Sequence, residues 1–287
     1  MNNVRTYNSS VRVGNWNEDI QLEEDALKEF LEKRDRGELP SQKRSKLKDL
    51  LFKPVSLSIS RDGYVHYGDI VALECLGSQD RTNYTNDGPR STCFLSTTPQ
   101  ASNLLQMNKL EGNCDVSGST TLEPNLRSSF VITGCEPHQT KGDKLCYGQD
   151  FFLCTLDGEG GSLFLQSDRA TLQKSAPQSR HQAVTYVPKP SALTKWKILY
   201  YDPRMRMENE GLPVPANNIV IMSHTVTNQD LAVEENFLMR TPFGHKEYEI
   251  SANTFLDSHR AEKDVNRWMI MMGVPGDEIR PIVPDCK

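Results

Sequence analysis

From about residue 64 onward, short apolar runs alternate with polar turns, and the pattern repeats. The stretch "YVHYGDIVAL" (64–73) has a Tyr-Gly pair leading to Asp69 and the run Ile70 to Leu73. Eighty residues on, "LCYGQDFFLCT" (145–155) repeats the opening with Gly148 and Asp150. A third opening, "ANNIVIMSHT" (216–225), keeps the apolar run without the Gly-Asp pair. Runs of this length, with β-branched and aromatic residues bounded by turn residues, predict strands. Behind each opening come further short runs: "CFLST" at 93–97; "LFLQS" at 163–167 and "HQAVTYV" at 181–187; "LAV" at 231–233 and "KEYEI" at 246–250.

The closing element ties the copies together. Trp196-x-Ile198 and Trp268-x-Ile270 lie 72 residues apart, and Phe130-x-Ile132 is the counterpart in the first copy. That first copy is longer, and an insertion in the polar stretch 98–126 accounts for the excess. The chain therefore holds three units, at about 64–134, 145–200 and 216–272. "LDGEGGS" (156–162) joins two strands of the second unit; a strand follows it rather than a helix, so it predicts a hairpin turn and not a phosphate cradle. Three copies of short strands predict a mainly β fold, a β-trefoil barrel in a domain spanning 54–273, with a less symmetric sandwich or barrel as the alternative. Phe130, Ile132, Trp196, Ile198, Trp268 and Ile270 are its expected core.

Residues 1–53 follow another period. Leu22, Ala26, Leu27, Phe30 and Leu31 recur at helical spacing, with a start near Asn17 and a stop at Gly37. "SQKRSKLKDLLF" (41–52) predicts a second short helix stopped by Pro54. These make an N-terminal arm with two short helices; residues 274–287, rich in Pro and Gly, form an irregular tail. Two features of the arm suit partner binding. Asn15, Trp16 and Asn17 place a large aromatic near a chain end, where it either staples the helix or fills a partner's pocket. Lys43, Arg44, Lys46 and Lys48 form a basic run, either a solvated helix face or a contact to an acidic partner.

Charge and chemistry narrow the classes. With 33 basic and 38 acidic side chains, the net charge of −5 argues against wholesale nucleic-acid binding. No run approaches membrane-spanning length, and the opening residues lack the apolar core of a secretory signal. Seven cysteines without close-paired motifs fit a reducing compartment. Six histidines show no ligand spacing, so no metal or cofactor is expected. No phosphate loop or nucleophile elbow occurs. Asp257-Ser258-His259 holds triad residue types, but adjacent residues rarely converge, and the segment is expected to be a loop with local bonds. No catalytic residue is expected.

Several words together are similar to a known family. "VRVGNWNED", "FLEKRDRG", "DGYVHYGD", "YGQDFF", "LFLQSDRATLQKS", "EGLPVPAN" and "FLDSHRAEKDVNRWM" resemble the cilia- and flagella-associated protein 161 family from about Val11 to Met269, least so over 76–128. The resemblance implies a microtubule inner protein. It would sit on the α/β-tubulin lattice in the A-tubule lumen of doublets in motile cilia, beside other luminal proteins, within the axonemal cytoskeleton of the cytoplasm. The barrel units also resemble the MIR-type β-trefoil of mannosyltransferases and inositol-trisphosphate receptors, a likeness that does not bring ligand binding with it. A sugar- or phosphate-binding trefoil module is the alternative.

Overall fold

The computed structural model describes residues 15–75, 77, 92–100, 110, 112–121, 123–156 and 162–275. Among the described residues, twelve strands fall four to a unit. The first unit holds β1 (Ile70–Cys75), β2 (Cys93–Pro99), β3 (Cys114–Ser119) and β4 (Ser129–Gly134). The second holds β5 (Asp150–Thr155), β6 (Phe164–Ser167), β7 (Gln182–Val187) and β8 (Trp196–Tyr200). The third holds β9 (Ile219–His224), β10 (Leu231–Arg240), β11 (Lys246–Ala252) and β12 (Arg267–Met271).

The first and last strands of each unit close a ring. β1 pairs β4, β4 pairs β5, β5 pairs β8, β8 pairs β9, β9 pairs β12 and β12 returns to β1, all antiparallel. The middle strands make three hairpins, β2–β3, β6–β7 and β10–β11, that meet through β3–β7, β7–β11 and β11–β3. A six-stranded barrel under a three-hairpin cap is the β-trefoil, and closure leaves the barrel no open edge.

The openings of the three units are equivalent. Val65 N–H donates to Val214 O, Val214 to Leu145 O and Leu145 to Val65 O, a closed triangle of 3.0, 2.8 and 2.9 Å. Three residues beyond each corner of this triangle the chain turns with positive φ, at Gly68 (91°), Gly148 (82°) and Asn217 (55°). Asparagine is one of the few residues that tolerates this region, which is how the third copy dispenses with glycine. Each turn ties to its own closing element: Gly68, Gly148 and Asn217 donate to Ile132, Ile198 and Ile270 carbonyls at 2.7, 2.9 and 3.0 Å.

Phe130, Trp196 and Trp268 are fully buried, as are Ile132, Ile198 and Ile270 to within 2%. Both indoles donate at 2.9 Å to the second strand of their own unit, Trp196 to Leu165 O and Trp268 to Leu231 O. Phe130, which has no N–H, stacks on Tyr186 at 5.6 Å. Inside the ring, Val71, Leu73, Ile132, Phe151, Leu153, Ile198, Val220, Met222 and Ile270 leave a void of about 10 Å³, so the barrel is a packed core and not a container.

Two local features depart from the sequence pattern. β3 lies within the stretch read as polar insertion; its "CDVSGS" presents only Cys114 and Val116 as apolar signals. The loop at 157–161 lies outside the described residues, while the strands it joins pair antiparallel through Cys154 and Phe164.

Candidate partner-binding surface

Two helices precede the trefoil, and they differ. α1 (Asn15–Asp35) ends in a tight cap: Gly37 has φ 71°, its N–H donates to Arg34 O, and Glu38 N–H donates to Lys33 O. This crossed pair satisfies the last carbonyls, the usual role of a glycine just past a helix. α2 (Pro40–Leu51) starts on proline, whose missing N–H costs nothing there. Gln42 holds the elbow between them, accepting from Leu39 N–H at 3.3 Å and donating to Arg34 O at 3.1 Å.

α2 is packed into the trefoil. Leu47 and Leu51 belong to the hydrophobic core, and Phe52 meets Phe243 edge-on at 5.9 Å. Phe52 also lies 5.3 Å from the guanidinium of Arg127, which is completely buried. Arg127 makes a two-pronged pair with Glu247 at 2.8 and 2.6 Å, and donates to Thr97 O, Thr98 Oγ1 and Ser117 Oγ. Ser117 in turn donates to Glu247 at 2.6 Å. The pair joins the first unit to the third, with α2 as its lid. Residues 40–53 thus share the core of the domain expected to begin at 54.

The basic run divides. Arg44 donates to Pro242 O, and Lys48 sits 5.9 Å from the Phe52 ring, so both serve the docking of α2. Lys43 and Lys46 turn instead toward a cleft of about 310 Å³ at the elbow, lined also by Arg36, Gly37 and Glu38. Asn15, Trp16 and Asn17 form the first residues of α1, so the helix begins two residues before its expected start.

α1 itself packs on nothing among the described residues. Ile20, Leu22, Leu27, Phe30 and Leu31 are all exposed, Leu27 by 58% and Phe30 by 49%. Several of its charged side chains pair locally, as Glu29 with Lys33 at 2.6 Å and Glu32 with Arg36, just past the helix, at 3.2 Å.

The titratable groups elsewhere serve the fold. His66 lies 3.3 Å from Asp62 and 3.5 Å from Asp69, and Lys144, at 2.8 Å, holds Asp62 down at about 2. His181 contacts Glu234 at 2.5 Å, and Ser251 donates to the same oxygen. His224 bonds Leu193 O and Thr227, and burial lowers its pKa. Asp257 accepts from the His259 and Ala261 N–H groups, which makes the Asp-Ser-His segment a capped loop. Burial raises the Cys75, Cys114 and Cys135 thiols to about 12, far from the thiolate form that reacts. Among the described residues no group of three or more His, Cys, Asp or Glu could hold a metal, and no helix is long and apolar enough to cross a membrane.

The closed ring, the three-hairpin cap and the packed interior define a MIR-type β-trefoil. Two solved structures share the fold: the SDF2-like protein of Arabidopsis thaliana (TM-score 0.50, 14% identity, 72% of this chain and 94% of that one) and a Caenorhabditis elegans protein of unknown function (TM-score 0.51, 15% identity, 74% and 98%). Sequence is more specific. Residues 43–273 match the cilia- and flagella-associated protein 161-like domain. The Danio rerio cilia- and flagella-associated protein 161 is 43% identical over 99% of this chain and 93% of its own length. The Bos taurus protein of the same name is 40% identical over 95% and 84%. The chain belongs to the cilia- and flagella-associated protein 161 family. The domain match begins inside α2, where the structure begins to pack.

Proposed function

We propose that the chain is a structural microtubule inner protein, binding the α/β-tubulin lattice inside the A-tubule of doublet microtubules in motile cilia and flagella. There it supports axonemal stability and motility without turnover chemistry. The observation that carries this reading is family membership across nearly the whole chain. The architecture is compatible: a closed body with a filled interior offers rigidity, and a projecting helix offers a second point of attachment. Two linked contacts raise the effective concentration of each for its site, so modest individual affinities suffice in a periodic array. Lys43 and Lys46 at the elbow cleft offer cations to an acidic surface such as tubulin. Neighbouring luminal proteins are the other partners. Cryo-electron microscopy of doublets with and without the chain tests the proposal. A difference density of trefoil shape inside the A-tubule supports it, and one outside the lumen, or none, contradicts it.

A further inference from the structure

We infer that α1 docks, along its Ile20–Leu31 face, on a different protein whose surface pairs an apolar depression with lysines or arginines beside it. The inference rests on the proposed function only for where that partner resides. Residues 20, 27 and 31 share one face of the helix, with 26 and 30 beside them, and a helix this exposed gains most of its stability only when such a face is covered. Four large apolar side chains on it, Ile20, Leu27, Phe30 and Leu31, are at least 36% exposed.

The face also has a polarity along its length. Ala26, Leu27, Phe30 and Leu31 make its C-terminal half apolar, whereas Asp19, Glu23 and Glu24 make its N-terminal half acidic. Those three carboxylates pair with no cation among the described residues, while the three cations of α1 are engaged with Asp25, Glu29 and Asp35. Asp19 and Glu23, one turn apart, repel each other, a cost that a partner's cation would relieve. At 1.5 Å per residue, the two halves are centred about 10 Å apart, which sets the spacing required of the partner's cations and its apolar depression.

Charge decides the occupant. α1 carries eight acidic and three basic residues, so a second α1 opposes it with the same excess. The elbow cleft of a second copy has cations but is lined by no apolar side chain. An acidic surface such as tubulin's would meet Asp19, Glu23 and Glu24 with like charge.

The test uses the full chain in ciliated cells that lack the native protein, with the photo-crosslinker p-benzoylphenylalanine in place of Phe30. The crosslinked peptide is sequenced, and its yield is compared with that of Glu23→Lys/Glu24→Lys in the same background. The expected result is a peptide from another protein with lysine or arginine beside the attachment point, and a yield reduced about tenfold by charge reversal. Thermal unfolding of the purified variants controls for folding, which an exposed helix should leave unchanged. No crosslink, a crosslink to a second copy, a crosslink to an acidic segment, or a yield that holds or rises on charge reversal overturns the inference. Fractionation separates it from the ciliary reading. The expected crosslink recovered away from the axoneme contradicts that reading and leaves the helix's partner chemistry standing. Protein held in the axoneme without the crosslink contradicts the helix inference alone.

Discussion

Trp268 and Phe30 are both large aromatic side chains, and the molecule treats them in opposite ways. Trp268 is fully buried with its N–H bound to Leu231 O, and a chemically matched residue, Trp196, sits at the equivalent place of the preceding unit. Phe30 is half exposed on a helix whose large apolar side chains are all exposed among the described residues. The trefoil closes its own strand ring and fills its own core. α1 shows backbone bonds, exposed ion pairs and the Gln42 clamp, each worth a fraction of what a buried indole contributes. This contrast between a closed body and an exposed helix is what the proposed docking of α1 rests on.

The largest effects should therefore fall inside the ring. Trp196→Ala and Trp268→Ala should each cost about 3 to 5 kcal/mol in denaturant unfolding, by cavity formation and an orphaned buried carbonyl. Unequal costs, one near zero, would break the threefold equivalence. Arg127→Ala should cost a similar amount, about 3 to 5 kcal/mol, because Glu247 is left charged and buried. The double change Arg127→Met/Glu247→Leu should recover most of that loss. If it recovers nothing, the pair is not the source of the cost.

Leu51→Ala and Leu27→Ala place the boundary. The first should cost about 2 to 5 kcal/mol, since α2 is core. The second should stay within about 0.5 kcal/mol in the isolated protein. Equal losses would mean that α1 packs on the body after all.

A smaller effect comes from His224. Burial lowers its folded pKa below the ordinary histidine value of 6.5. The unfolded chain then binds more protons as the pH falls below about 6.5, so folding stability should decline there and be fully present above it. The decline, followed by thermal unfolding at stepped pH, should be shallower in His224→Gln. An unchanged slope would assign it to other groups.

The threefold plan was legible because each unit repeats two chemically demanding words: a turn needing positive φ and an aromatic-x-Ile strand. Even the divergent third copy kept a residue, Asn217, that meets the first demand. β3 was not legible, because Ser117 and Gly118 belong there for the Glu247 bond and for the approach of Cys93 and Tyr248, neither of which alternation encodes. Nor was the division of the basic run. Periodicity places Lys43, Arg44, Lys46 and Lys48 on a helix, but Arg44's partner carbonyl lies 198 residues away. Arg127 carried no signal at all, since a single arginine before a strand looks like any surface residue until the fold buries it. The buried positions of α2 itself are Leu47 and Leu51, too few to distinguish in sequence a docked helix from a projecting one.

The contrast between a finished body and an unfinished helix is tested most directly by deleting residues 1–39, which removes α1 and leaves α2 in place. Purified, the shortened chain should unfold at the same temperature as the full chain. Expressed in ciliated cells lacking the native protein, it should wash out of axonemes at salt concentrations that leave the full chain bound. A shortened chain that melts at the same temperature and stays in the axoneme as firmly as the full one would contradict the account, and would assign attachment to the trefoil surface alone.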